Sequence, residues 1–164
     1  MKHLIFIITI ILSFTLYGCV SDPNTYYFDS SILITDTLEI ELVFYQNDSP
    51  KMITVSDDKF PSFIYENSIS LEMLDTSLLE SFILELSTIT FHEQNESANS
   101  PVGNTLVLHQ SNGDMLIISC SLIEGIAYSF VSRFDSNHNY IEHIASFADR
   151  PKFERLLMKY FNTI

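Results

Sequence analysis

Residues Ser111-Asn112-Gly113-Asp114 separate two apolar runs, and that short gap constrains the chain more than any other feature. Leu106 and Leu108 alternate with Val107 and His109 before the gap, and Met115 to Leu122 return after it. Four polar residues cannot span a crossover connection, so the two runs must be antiparallel neighbours. The Asn-Gly pair tolerates the positive φ that a tight reversal demands. Glu124-Gly125 and Asp135-Ser136-Asn137-His138-Asn139 repeat the device around Ile126 to Phe134 and Tyr140 to Ile144. A four-strand meander is predicted, and with it an antiparallel sheet.

The first half carries the same signals more faintly. Leu38, Ile40, Leu42 and Phe44 share one face of a strand, with Glu39 and Glu41 as solvated charges on the other. Asn47-Asp48-Ser49-Pro50 is turn chemistry, and Met52 to Val55 is expected to return from it as a hairpin partner. Two further short strands are expected at Ser62 to Tyr65 and Ile69 to Met73, bounded by Pro61 and Asn67. Ser77-Leu78-Leu79-Glu80 fits a capping box, so a helix should begin there. Its apolar arc is Leu78, Leu79, Phe82, Ile83, Leu86 and Ile89, with Glu80, Glu85, Ser87 and Thr88 outside. Glu93 to Gly103 is expected to be a polar loop. Asp149 and Pro151 open a second helix, on which Phe153, Leu156, Leu157, Tyr160 and Phe161 line one face. The fold class that follows is α+β, a mainly antiparallel sheet with two helices packed on one face and the other face solvated or used for binding.

The 164 residues begin with a segment of a different kind. Met1-Lys2-His3 is a short basic start, and Leu4 to Leu16 is apolar except for Thr9, Ser13 and Thr15. That run is of signal-peptide length and shorter than the roughly 20 apolar residues a membrane-spanning helix needs. It closes on Leu16-Tyr17-Gly18-Cys19, which resembles the lipobox of bacterial lipoproteins: an aliphatic residue, a tolerant position, a small residue and then Cys. Tyr17 departs from the usual small residue at its position. The resemblance implies cleavage after Gly18 and a diacylglyceryl thioether on Cys19, which becomes the lipidated N-terminus. The expected organisation is a signal peptide over 1–18, the lipidated Cys19 and a polar tether over 19–31, and one α+β extracytoplasmic domain over 32–164. A tether of that length reaches at most roughly 40 Å.

With Cys19 acylated, Cys120 has no partner for a disulfide within the chain, and its place in Met115-Leu116-Ile117-Ile118-Ser119-Cys120 marks it as a packing residue. His92, His109, His138 and His143 show no zinc-hydrolase spacing, and Asp135, His138 and His143 are read as turn and strand residues, not metal ligands. Asp57-Asp58 and Glu39/Glu41 are neighbours of the kind that 21 acids make inevitable. No nucleophile elbow, phosphate-cradling loop or complete calcium loop is present. No catalytic residue, metal ligand or cofactor site is therefore assigned.

Lys and Arg number 8 against 21 Asp and Glu, and only Lys2 of the cations lies in the leader. So acidic a chain is unsuited to neutralising phosphates, which excludes a nucleic-acid partner. Hydrophobic residues make up 46% of the sequence, too many for a disordered chain. Arg150, Lys152, Arg155 and Lys159 all fall on the last helix, and Lys152, Arg155 and Lys159 form a stripe beside its apolar face, where they can pair with the protein's own carboxylates or meet anionic headgroups. The function expected is a lipid-anchored binding or interaction module of the cell envelope, held to the membrane through Cys19 and meeting another envelope component. An envelope enzyme or a structural or stress-related envelope component are the alternatives.

Overall fold

The computed structural model describes residues 25–26, 35–45, 54–92, 99–123, 126–147 and 150–162. The leader, Cys19 and the tether lie outside them, as do the Asn47–Pro50 and Glu124–Gly125 turns and Asp149. The strands are β1 (Thr25–Tyr26), β2 (Thr37–Phe44), β3 (Thr54–Ser56), β4 (Ser70–Met73), β5 (Phe91–His92), β6 (Asn99–Pro101), β7 (Asn104–Gln110), β8 (Met115–Ile123), β9 (Ile126–Phe134) and β10 (Tyr140–Phe147). The helices are α1 (Phe60–Asn67), α2 (Leu79–Leu86) and α3 (Arg150–Tyr160). The expected meander forms: β7, β8, β9 and β10 are consecutive neighbours in a sheet ordered β1-β5-β10-β9-β8-β7-β2-β4, antiparallel throughout. The fold is α+β.

Two reversals in the meander are built alike. Gly113 N–H donates to Gln110 O and Gln110 N–H to Asp114 O, each at 2.9 Å. The β9–β10 turn repeats this with His138 N–H on Asp135 O and Asp135 N–H on Asn139 O, also at 2.9 Å. Both are three-residue loops whose last residue sits at positive φ, 89° at Gly113 and 66° at His138. Gly113 alone makes that excursion in the Asn-Gly pair, and Asn112 serves through its side chain, accepting the Asp114 N–H at 2.9 Å. In the second turn the Asp135 carboxylate takes the N–H groups of Asn137 and Asn139.

The helices α2 and α3 cover one sheet face, as expected. Phe82, Ile83, Leu86, Phe153, Leu156, Leu157 and Phe161 pack with Ile40, Leu42, Leu106, Leu108, Leu116 and Ile118. Phe82 meets Tyr160 and Phe161 edge-on, with ring centroids 5.1 and 5.9 Å away. Cys120 lies in this cluster, buried. Outside the apolar contact, Lys159 Nζ sits 2.5 Å from Glu85 Oε2 and Lys152 Nζ donates to Thr88 O, so two cations of the basic stripe are spent on α2 and its end.

Five expectations need correction. Ser62 to Tyr65 is part of helix α1, not a strand: Phe60 and Ile64 are buried one turn apart, and Pro61 sits in the first turn, where its missing N–H costs nothing. Because α1 exists, the second sheet face is not bare. Phe60 and Ile64 pack there with Val43, Val107, Ile117 and Phe130, the Phe60 and Phe130 rings 4.7 Å apart and perpendicular. The Leu38–Phe44 and Met52–Val55 hairpin does not form, since β2 has β4 and β7 as its neighbours and β3 pairs with β6. Thr54-Val55-Ser56 brings one apolar side chain, too little to hold an interior position, and Asn99–Pro101 is thereby strand within the stretch expected to be loop. Finally, α2 is not entered through a Ser77/Glu80 box. Asp75 accepts the Ser77 N–H at 2.9 Å and caps a 3-10 turn, Thr76–Leu78, that leads into the helix.

The Gly113 turn offers a direct check. A Cβ there would stand 3.3 Å from Ser136 Cβ in the neighbouring turn, on a backbone that L side chains disfavour. Gly113→Ala is expected to cost about 1 to 2 kcal/mol, whereas His138→Gly, freeing a strained residue while losing its ring, should change stability by less than about 1 kcal/mol. Urea melts of the two variants measure both; equal midpoints for Gly113→Ala and wild type would contradict the turn geometry.

Candidate functional site

A buried polar cluster lies on the second sheet face. Side chains alternate along a strand, so Glu41 shares that face with Val43 on β2, as His109 does with Val107 on β7. The antiparallel register opposes Glu39 to His109 and Glu41 to Val107, which sets His109 diagonally across from Glu41. One residue beyond buried Ile64, α1 delivers Tyr65 over the same spot. Its phenol donates to Glu41 Oε2 at 2.8 Å, and His109 Nε2 stands 3.5 Å from the same oxygen. The His138 ring, held out by the β9–β10 turn, stacks on Tyr65 with centroids 6.5 Å apart. Glu41 is 8% exposed, so it is a buried carboxylate and not the solvated charge its position on an alternating strand predicts. Glu39 is exposed, as expected.

The electrostatics of the cluster follow from that burial. The hydrogen bond with His109 holds the Glu41 carboxyl below the usual carboxylate range, helped by the Tyr65 phenol and the His109 charge and opposed by desolvation. Burial, together with the adjacent carboxylate, pushes Tyr65 well above the ordinary phenol value. Both shifts run away from neutrality: Glu41 stays an acceptor and Tyr65 a donor. General acid–base work needs a group poised near the working pH, which neither supplies. The arrangement is a fastening of α1 to the sheet beside a half-exposed histidine.

The residues singled out in the sequence are dispersed. Asp135 is occupied within its own turn, His138 lies on Tyr65, and His143 sits opposite Ser132 on the neighbouring strand, Nδ1 3.4 Å from Ser132 Oγ. Ser132 is buried. Asp57 and Asp58 form the 3-10 turn before α1. Among the described residues no group of three or more His, Cys, Asp or Glu is arranged to hold a metal ion, and no helix is long and apolar enough to cross a membrane. Cys19 lies outside the described residues. The sequence analysis missed the Glu41–Tyr65–His109 cluster because it requires the β2–β7 register and α1 together.

No family model, no curated protein and no solved structure matches the chain.

Removing either partner of the buried bond should be costly. Tyr65→Phe leaves Glu41 short of a donor and is expected to cost about 1 to 3 kcal/mol; a double-mutant cycle with Glu41→Gln should then show the two losses to be non-additive. Strict additivity would contradict the coupling. The pH dependence has a definite sign. A carboxyl whose folded value lies below its unfolded one, about 4.3, contributes fully above that pH and loses its contribution as pH falls through the folded value. Stability of the wild type should therefore fall more steeply below about pH 4 than that of Glu41→Gln, as denaturant titrations across pH would record.

Proposed function

We propose that this protein is a lipid-anchored binding or interaction module on the outer side of a bacterial cytoplasmic membrane or within its envelope. One observation carries the reading: Leu16-Tyr17-Gly18-Cys19 closes an apolar run of signal-peptide length. In that reading 1–18 is removed, Cys19 is acylated, and a short polar tether holds the α+β fold near the lipid surface. Two acyl chains on one residue anchor a protein stably where a single chain does so only marginally.

Binding in preference to catalysis is supported by the chemistry of the described residues. In the Glu41–Tyr65 pair the carboxyl is held below and the phenol above their ordinary ranges, both away from neutral pH. Ser132, whose hydroxyl faces His143, is buried. The acidic surface suits a protein or cationic partner and is unsuited to nucleic acid.

Expression of wild type and Cys19→Ala with labelled palmitate, followed by membrane fractionation, tests the anchor. The wild type should carry label and sediment with membranes, while the variant should lose both. A variant processed at the same site and retained like wild type would reject the lipoprotein assignment.

A further inference from the structure

The strand β4 ends the sheet. Its inner side pairs with β2 in continuous register from Glu41↔Met73 to Phe44↔Ser70, and among the described residues no strand pairs with its outer side. Leu74 N–H donates to Ile40 O. Antiparallel alternation then leaves Leu71 and Met73 to present their N–H and C=O groups outward. Natural edge strands are blunted by Lys, Pro, a bulge or a covering element. Ser70-Leu71-Glu72-Met73 has no Lys or Pro and no register shift, and Ile69, Leu71 and Met73 are 58%, 52% and 50% exposed. Among the described residues the edge is apolar, regular and unpaired on its outer side.

Its charge says what can use it. No Lys or Arg occurs between Lys59 and Arg133, while Glu66, Glu72 and Asp75 lie along or beside β4. Two copies of this edge set antiparallel would bring those acids together, so the edge opposes pairing with itself. The same field attracts a strand flanked by cations. We propose that the outer edge of β4 receives an extended segment of a partner protein as an added strand, apolar at alternate positions and flanked by Lys or Arg. This deepens the reading as a binding module by naming the partner's chemistry, and it does not depend on the anchor.

A random nine-residue peptide display library, panned on the full chain in neutral detergent micelles, tests it. Enriched peptides should alternate apolar residues and carry net positive charge. Their affinity should fall at least about tenfold on raising salt from roughly 50 to 500 mM, because surface charge is screened over that range. It should fall as far with the Leu71→Lys/Met73→Lys protein, or when alternate peptide nitrogens are methylated, an arm that leaves the protein unaltered. No enrichment, enrichment of neutral or acidic sequences, or equal binding to the lysine variant would overturn the proposal. So would a dimer in sedimentation velocity that the same substitutions dissolve, since that assigns the edge to a second copy. Membrane retention of wild type against Cys19→Ala is read without peptide, so failure here leaves the anchor reading standing.

Discussion

Strand β8 is apolar on both of its faces, and most of the architecture answers to that. Met115 to Cys120 are buried without a break, Leu116 and Ile118 toward α2 and α3, Met115 and Ile117 toward α1. A strand of this kind cannot sit in a sheet with one wet face. Helices are needed on both sides, and the chain supplies α2 and α3 for one and the short α1 for the other. The second cover is the weaker, since α1 offers only Phe60, Pro61 and Ile64 as buried side chains. Tyr65 and Glu41 add a directional bond where the apolar contact is smallest.

That bond is specific because its alternative is poor. A carboxylate as buried as Glu41 must be matched by donors or protonated, and Tyr65 and His109 both converge on one of its oxygens. Removing α1 would return Glu41 to water and expose Val43, Val107 and Ile117, so the polar and apolar contributions favour the same placement of the helix. The shifts on Glu41 and Tyr65 record the fastening and have no need of a catalytic explanation.

How far the sequence discloses this depends on the range over which each signal acts. The β7–β8 and β9–β10 reversals are local, fixed within five residues, and were legible together with the meander they join. The apolar arcs of α2 and α3 were legible for the same reason: their partners differ, but the period of 3.6 does not. The segment Phe60–Asn67 misled because eight residues, little more than two turns, carry little periodicity and Pro61 breaks strands and opens helices alike. Leu38 departs from its expected inward face where the β2–β7 register slips between Thr37 and Glu39, a bulge that alternation alone does not forecast. The Glu41 cluster joins β2, α1 and β7 across about 70 residues of sequence. Only tertiary register makes it, although the unbroken apolar run of β8 already implied that some element must cover the second face.

Charge is distributed as unevenly as cover. Three of the described cations engage groups on neighbouring elements, Lys159 with Glu85, Lys152 with Thr88 just past α2, and Arg133 with Glu142 across the β9–β10 hairpin. The β2–β4 margin has no such counter-charge from Lys or Arg within its own sequence, yet it is also where the sheet stops and where three large apolar side chains stand half in water. Like charge at an apolar edge opposes self-pairing, and it does so without the Lys that would also repel a basic partner. The acidity of this chain thus acts locally at β4 as a selector, closing the edge to copies of itself while leaving its backbone hydrogen bonds available to a strand of opposite charge.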